Sequence, residues 1–161
     1  MKADQKKIYS SNYYTDKYSS IRYKEEHLFD SERYLLSKYL KPNVSVLDIG
    51  CAAGGFSQIL TSIEPTISYT GIDVSKELIA IARKDYPIHN FDVIDASKTL
   101  QYPEESFDIT QAWGVTVHES EYKKLLTEAW KITKENLIFD MRLQSHASEI
   151  LDKNICYVLN P

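Results

Sequence analysis

Long hydrophobic runs are missing from this sequence of 161 residues. No stretch approaches the roughly 18 apolar residues of a membrane-spanning helix, and the start, MKADQKKIYSS, lacks the apolar core of a signal peptide. Cysteine is scarce too, since Cys51 and Cys156 alone make neither a disulfide framework nor a zinc knuckle. These absences predict a cytoplasmic protein in a reducing compartment, with no membrane span and no metal ion.

Basic tracts are also absent, although the positive charge is unevenly placed. Residues 1–41 carry a formal charge of +3 and the remainder carries −7, which gives −4 for the chain. Proteins that bind RNA or DNA generally present a basic patch or stripe, so no nucleic-acid partner is expected. The positive N-terminal segment either meets a small anionic substrate or forms a solvated helical surface.

Tyrosine is concentrated at the N-terminus, where residues 1–41 hold seven of the twelve. The apolar spacing in SERYLLSKYL predicts a helix over 31–40, with Ser31 as its N-cap and Pro42 ending it. We interpret residues 1–41 as a helical segment that either closes over a site as a lid or packs on the following domain, residues 42–161.

From residue 44 onward, short apolar runs alternate with helical patterns. The predicted strands are 44–50, 67–73, 88–96, 107–115 and 135–143, and the predicted helices between them are 56–64, 76–86 and 120–133. This alternation predicts an α/β fold with a parallel sheet and right-handed crossovers. Ligands of such sheets bind beyond the carboxyl ends of the strands, beside the first strand.

The first strand and its turn, VLDIGCAAGG, indicate which ligand is expected there. Gly50, Ala52 and Gly55 form a degenerate dinucleotide-binding pattern, but an alanine at the second position obstructs the approach of a pyrophosphate. Asp48 precedes the turn by two residues, and its carboxylate would repel phosphates and attract an ammonium or sulfonium group. The turn therefore favours a ligand with a cationic end.

VLDIGCAAG resembles motif I of the class I S-adenosylmethionine-dependent methyltransferases. GIDVS, VIDASKTLQYPEESFDIT and ITQAWGVTVH resemble the later motifs of that family, in the family's order, across residues 44–142. The resemblance implies a Rossmann-like, doubly wound, mostly parallel sheet of order 3-2-1-4-5 with helices on both faces. By the family's seven-stranded pattern the C-terminal hairpin is short or missing, so residues 42–161 are expected to be a C-terminally truncated cofactor domain.

The resemblance also implies S-adenosylmethionine as cofactor and S-adenosylhomocysteine as product. Asp73 would bind the ribose hydroxyls and Asp95 the adenine amino group, although Asp48, Asp73 and Asp95 each have a structural alternative in their turns. The expected cofactor-binding residues are Asp48, Gly50, Cys51, Ala52, Gly54, Asp73, Val74, Asp95, Ala96, Gln111, Ala112 and Trp113.

The function implied by the resemblance is methyl transfer to an oxygen or nitrogen of a small-molecule acceptor, with an anionic acceptor among the options. His118 is either a general base or structural, and the substrate-side candidates are Tyr14, Tyr18, Arg22 and Arg142.

Two alternatives stay open. CAAGGFSQIL also resembles the turn of ribosomal-RNA 2′-O-methyltransferases, although the acid that those enzymes carry after the fourth strand is absent from ITQAWG. The other is a non-catalytic methyltransferase-like module that assists a partner.

Overall fold

A computed structural model describes residues 22–146 and 149–159 of the protein, with side chains described as far as Met141. Tyr14 and Tyr18 lie outside the described residues, as does the side chain of Arg142. After a short 3₁₀ turn, Glu25–His27, the helices are α1 Asp30–Tyr39, α2 Gly55–Ile63, α3 Lys76–Asp85 and α4 Tyr122–Ile132. The strands are β1 Ser45–Ile49, β2 Ser68–Asp73, β3 Asn90–Val93, β4 Phe107–Ala112, β5 Thr133–His146 and β6 Glu149–Leu159.

The strands form one sheet of order β3-β2-β1-β4-β5-β6. The first five are parallel to their neighbours, and β6 is antiparallel to β5. The expected order 3-2-1-4-5 is confirmed. The described chain contributes a single antiparallel strand beyond β5, as the sequence after the fifth strand indicated.

The sheet separates two apolar clusters, and the alternation of side chains along β1 shows this directly. Val46 and Leu47 are both fully buried, yet Val46 packs with α1, α2 and α3 while Leu47 packs with α4. Successive side chains of a strand point to opposite faces, so helices must cover both faces to bury both residues. The expected two-sided arrangement is therefore present.

Several element boundaries differ from the sequence prediction. Ser31 is not the N-cap of α1, because the helix begins at Asp30 and Phe29 precedes it. The carboxylate of Glu32 satisfies the end instead, accepting a 2.8 Å hydrogen bond from the Phe29 amide. By contrast, Ser75 caps α3 as predicted, with its hydroxyl accepting from the Leu78 amide at 3.2 Å.

Strand β4 ends at Ala112 rather than 115, because the chain turns at Gly114, whose φ is +69°. Strand β3 is likewise shorter than the apolar run that predicted it. Within residues 22–146 and 149–159, no helix is both long enough and apolar enough to cross a membrane.

Candidate functional site

The turn from β1 to α2 uses its backbone N–H groups internally. The amides of Gly50 and Cys51 donate to the Ile72 carbonyl at 2.7 and 3.1 Å. The Ala52 amide donates to the carboxylate of Asp73 at 3.0 Å, and the Gly54 amide donates within the turn, to the Cys51 carbonyl, at 2.9 Å. Backbone amides that point at the ligand hold a diphosphate, and these four amides are already engaged within the fold.

The same turn requires left-handed backbone at three alternate positions. Gly50, Ala52 and Gly54 have φ values of +78°, +49° and +81°. A β-carbon at Gly54 would lie 2.9 Å from ring atoms of Phe91 and from the side chain of Ala82. Glycine is therefore required at residue 54 on both steric and conformational grounds, whereas Ala52 adopts a conformation that costs an L-residue about 1 kcal/mol.

A cavity of about 350 Å³ opens at the carboxyl ends of the parallel strands. Its volume lies in the range of small-molecule sites. Its wall is formed by Arg22, Asp48, Ile49, Gly50, Cys51, Ala52, Gly55, Phe56, Ile72, Asp73, Val74, Leu78, Ile94, Asp95, Ala96, Ser97, Trp113, Gly114, Val115, His118, Glu119 and Leu125.

Asp48 is the most deeply placed carboxylate of this wall, with 3% of its surface exposed. The Tyr69 hydroxyl donates to its Oδ2 at 2.5 Å. Burial raises the pKa of Asp48 to about 6, although Tyr69, the neighbouring Gln111 carboxamide and the charge of Arg22 each lower it. Asp48 is thus ionised at neutral pH with little solvent around it.

Asp73, at the end of β2, joins the turn to helix α3. Its Oδ2 accepts from the Ala52 amide at 3.0 Å and its Oδ1 from the Ser75 amide at 2.9 Å, while burial raises its pKa. The Val74 amide is a third donor to this carboxylate, and a carboxylate offers about four acceptor positions. Asp73 therefore has the structural role in its turn that the sequence suggested, and this role is compatible with a binding role.

Asp95 likewise has a structural role in its turn. Its Oδ1 accepts hydrogen bonds from the Ser97 hydroxyl at 2.6 Å and the Ser97 amide at 3.3 Å, and Lys98 Nζ lies 3.7 Å from its Oδ2. Asp95 still lies on the cavity wall beside Ala96.

The segment before α1 reaches the cavity through Arg22. Its guanidinium forms a 2.5 Å ion pair with the buried Glu32 and lies 5.0 Å from the centre of the Phe56 ring. The Arg22 carbonyl oxygen would lie 2.7 Å from a β-carbon at Gly55, so the two backbones pack directly together. This packing places the segment against the start of α2.

The loop after β4 supplies the opposite wall. Asp140 in the middle of β5 fixes this loop, because its Oδ1 accepts from the Gly114 amide at 2.6 Å and its carbonyl accepts from the Thr116 hydroxyl. Beyond that anchor, His118 and the buried Glu119 line the cavity, and Glu119 also accepts from the Glu121 amide at 3.0 Å.

Most of the residues expected to bind the cofactor meet on this wall, and three do not. Gly54 packs against Phe91, Ala112 is buried in the apolar cluster on the α4 side of the sheet, and Gln111 pairs with Asp48 across β1 and β4. Of the substrate-side candidates, Arg22 is on the wall, and so is His118, the candidate general base. The binding roles of all these residues stay predictions.

Sequence reasoning missed two prominent wall residues, Phe56 and Glu119. Phe56 begins the apolar face of α2, which gives the same signal as an ordinary core residue. Glu119 directly follows His118, and that adjacency was the one available signal.

The comparisons with known proteins identify the family. A family model described as a methyltransferase domain matches residues 46–136, which span β1 to the start of β5. The chain belongs to the S-adenosylmethionine-dependent methyltransferase family.

Two curated proteins are moderately similar to the chain. The uncharacterized protein MJ1252 of Methanocaldococcus jannaschii is 28% identical over 119 residues, covering 73% of this chain and 43% of that protein. The mitochondrial ubiquinone biosynthesis O-methyltransferase of Saccharomyces cerevisiae is 28% identical over 93 residues, covering 56% and 30%. The chain thus spans less than half the length of either.

The fold of this methyltransferase family member also matches solved structures. The crystal structure of PH0226 from Pyrococcus horikoshii OT3 superposes with a TM-score of 0.61 at 28% identity, covering 68% of this chain and 54% of that one. This similarity agrees with the parallel sheet and its strand order.

The wall suits the cofactor of the family, S-adenosylmethionine. It presents the carboxylates of Asp48 and Asp73, which favour a ligand with a cationic end. The indole N–H of Trp113 is buried on the wall with no hydrogen-bond partner in the described part of the chain, so a donor is left for a ligand. Among residues 22–141, no group of three His, Cys, Asp or Glu side chains is placed to hold a metal ion.

Proposed function

We propose that this chain binds S-adenosylmethionine in the cavity and transfers the methyl group to an oxygen or nitrogen of a small-molecule acceptor. The observation that supports this most is the chemistry of the wall at β1 and β2. The carboxylates of Asp48 and Asp73 lie on the cavity wall there, and four amides of the turn donate within the fold.

In this proposal each carboxylate lies at a different part of the cofactor. The Asp73 carboxylate accepts hydrogen bonds from the ribose hydroxyls, and Asp95 lies near the adenine. Asp48 faces the ammonium end of the methionine moiety, where opposite charge in a buried setting gives a strong attraction. The bound cofactor supplies a methyl group already activated by the sulfonium. The chain therefore needs to bind and orient rather than to generate an electrophile.

The acceptor side of the cavity would be the wall made by Trp113, His118 and Glu119, facing Phe56 and Arg22 across the opening. These groups exclude water and hold the nucleophile in line with the methyl group. His118 acts as a base only if the nucleophile carries a proton at working pH. The name of the yeast relative, an O-methyltransferase, supports an oxygen acceptor. Arg142, Tyr14 and Tyr18 stay substrate-side candidates.

The packing of Arg22 on Gly55 supports the proposed division of the chain into an N-terminal segment, 1–41, that covers the site and a cofactor domain, 42–161. Ion pairing of Arg22 with Glu32 makes its guanidinium less available for an anionic acceptor.

Ligand-induced stabilisation is the first test. S-adenosylhomocysteine at 100 times its Kd should raise the free energy of unfolding by about 2.7 kcal/mol, and NAD at equal concentration should not. Stabilisation by NAD alone would overturn the cofactor assignment.

Site variants provide the second test. Asp73→Ala should weaken binding of S-adenosylhomocysteine by about 1–3 kcal/mol through lost ribose hydrogen bonds. Asp92→Ala, which removes an exposed carboxylate one strand away on β3, serves as the matched control. Equal affinities of the two variants would show that Asp73 does not contact the ligand.

Transfer of label from methyl-labelled cofactor to a metabolite extract separates an enzyme from a binding module. We expect labelled small molecules with the unaltered chain, and fewer with His118→Ala if the base role holds. Binding of cofactor without any transferred label would favour the module, and label in added RNA would favour the RNA alternative.

A further inference from the structure

Asp48 is held between two polar side chains that come from the strands on either side of it. Asp48 lies on the central strand β1, and in the sheet it is directly opposite Gln111 on β4. From β2, Tyr69 reaches the same carboxylate with its hydroxyl at 2.5 Å. Tyr69 and Gln111 are both buried, with 2% and 0% of their surfaces exposed.

Neither side chain has another polar use that explains its burial. Both amide atoms of Gln111 lack a regular hydrogen-bond partner among the described residues. The Tyr69 ring packs between His89 and Phe91, at centroid distances of 5.3 and 5.8 Å, so its hydroxyl is fixed in direction. Burying a polar group without a regular partner costs roughly 1–3 kcal/mol, so the Gln111 carboxamide beside Asp48 indicates a role there, while the Tyr69 hydroxyl has Asp48 as its partner.

We propose that Tyr69 and Gln111 are positioning residues that keep the Asp48 carboxylate ionised and oriented toward the cavity for the cationic end of the ligand. This inference rests on the proposed function and assigns roles to two residues that do not themselves line the cavity. The assignment of Tyr69 is the better supported of the two, because its hydroxyl donates directly to the Asp48 carboxylate.

The physical argument concerns the charged form of a buried acid. A carboxylate without solvent takes up a proton unless donors stabilise its charge. Burial raises the pKa of Asp48, and the neighbouring tyrosine and carboxamide lower it again, to about 6. Tyr69 can serve as a donor at all relevant pH values, since burial raises the pKa of its own hydroxyl well above the ordinary value.

Three further charged or titratable groups interact with Asp48. Arg22, from the segment before α1, lowers the pKa of Asp48, and Asp73 at the end of β2 raises it. The Cys51 thiol in the turn is kept protonated, because burial and both aspartates raise its pKa. The pH dependence predicted below must therefore be shown to come from Asp48.

The test measures the Kd of S-adenosylmethionine by calorimetry from pH 5 to 8.5 with the full chain. Affinity of the unaltered protein should fall as the pH decreases through about 6. Tyr69→Phe should move that midpoint upward by about one pH unit, so that affinity at pH 6.5 is about threefold lower. Gln111→Leu should move it in the same direction and provides the test if Tyr69→Phe does not fold.

Two controls separate positioning from a structural role. In an Asp48→Asn background the midpoint should disappear, and adding Tyr69→Phe should change the Kd by less than about twofold. Tyr102→Phe removes a buried tyrosine hydroxyl that has no partner among the described side chains, on the other face of the sheet. It should leave the pH profile unchanged.

The outcomes are distinguishable. Unchanged midpoints in Tyr69→Phe and Gln111→Leu, or equal effects of Tyr69→Phe with and without Asp48, would overturn this inference and leave the proposed function standing. Absence of binding by the unaltered chain at every pH would overturn the proposed function itself, and this inference with it.

Discussion

Asp48 lies on the cavity wall, and burial of its carboxylate affects the stability of the fold. Its carboxylate is nearly solvent-free, and the groups around it offset its desolvation only in part, so its pKa remains raised from 3.8 to about 6. Because the folded pKa exceeds the unfolded one, the associated stability is present below pH 3.8 and is lost as the pH rises through about 6. At neutral pH the ionised carboxylate therefore weakens the ligand-free protein.

Asp48→Asn should consequently make the ligand-free protein more stable at pH 8. The pKa shift corresponds to an upper limit of about 3 kcal/mol in the free energy of unfolding, and the amide still accepts from the Tyr69 hydroxyl. Urea unfolding at pH 5 and pH 8 checks this, with the exposed Asp85→Asn as control. A gain at pH 8 no larger than at pH 5 would contradict the origin we assign. The same variant should bind S-adenosylmethionine more weakly.

At the scale of elements, the turn between β1 and α2 depends on side chains from elsewhere in the fold. Gly54 faces α3 and β3 through Ala82 and Phe91, whereas Ala52 is held by the carboxylate at the end of β2. The two positions have similar left-handed backbone but different surroundings, so substitutions at them should differ in their cost to stability.

Gly54→Ala should destabilise the fold by about 2–4 kcal/mol, through both the left-handed conformation and overpacking against Phe91. Ala52→Gly should stay within about 0.5 kcal/mol of the unaltered protein, because relief of the left-handed strain is offset by greater freedom in the unfolded chain. Chemical denaturation of both variants measures the difference. A loss in Gly54→Ala no larger than the roughly 1–2 kcal/mol of left-handed backbone alone would mean that packing against Phe91 does not contribute.

The loop after β4 makes a second element-scale prediction. Asp140→Ala removes the acceptor of the Gly114 amide, so stability should fall by about 0.5–1.5 kcal/mol. The loop that carries His118 and Glu119 should also exchange amide hydrogens faster. Exposed Asp92→Ala provides the comparison, and unchanged exchange in the loop of Asp140→Ala would show that other contacts fix it.

At the scale of the whole molecule, the sheet places its most stable strands beneath the site. Strands β1 and β4 each have a hydrogen-bonded neighbour on both sides, whereas β3 has one neighbour in the described sheet and only four residues. Hydrogen exchange should therefore be slowest in β1 and β4 and faster in β3. Equal protection of β3 would point to a further contact along that edge.

The architecture could be predicted from the sequence because apolar runs that alternate with helical patterns predict the strands of a parallel sheet. A parallel sheet in turn predicts that ligands bind at the carboxyl ends of its strands. Motif spacing likewise brought Asp48, Asp73 and Asp95 to one cavity. The contact between Tyr69 and Asp48 could not be predicted, since it depends on the register of two strands and on the stacking of Tyr69 with His89. Glu119 was missed because loop geometry, not periodicity, buries it.

Close contact between the Arg22 carbonyl and Gly55 has a kinetic consequence. The backbone ahead of α1 can lie this near only while residue 55 lacks a side chain. A methyl group there would push that stretch outward and widen the entrance, so a captured molecule should leave sooner even if its direct contacts are intact. We therefore expect Gly55→Ala to raise the dissociation rate of a bound ligand, and a stopped-flow measurement of that rate checks this.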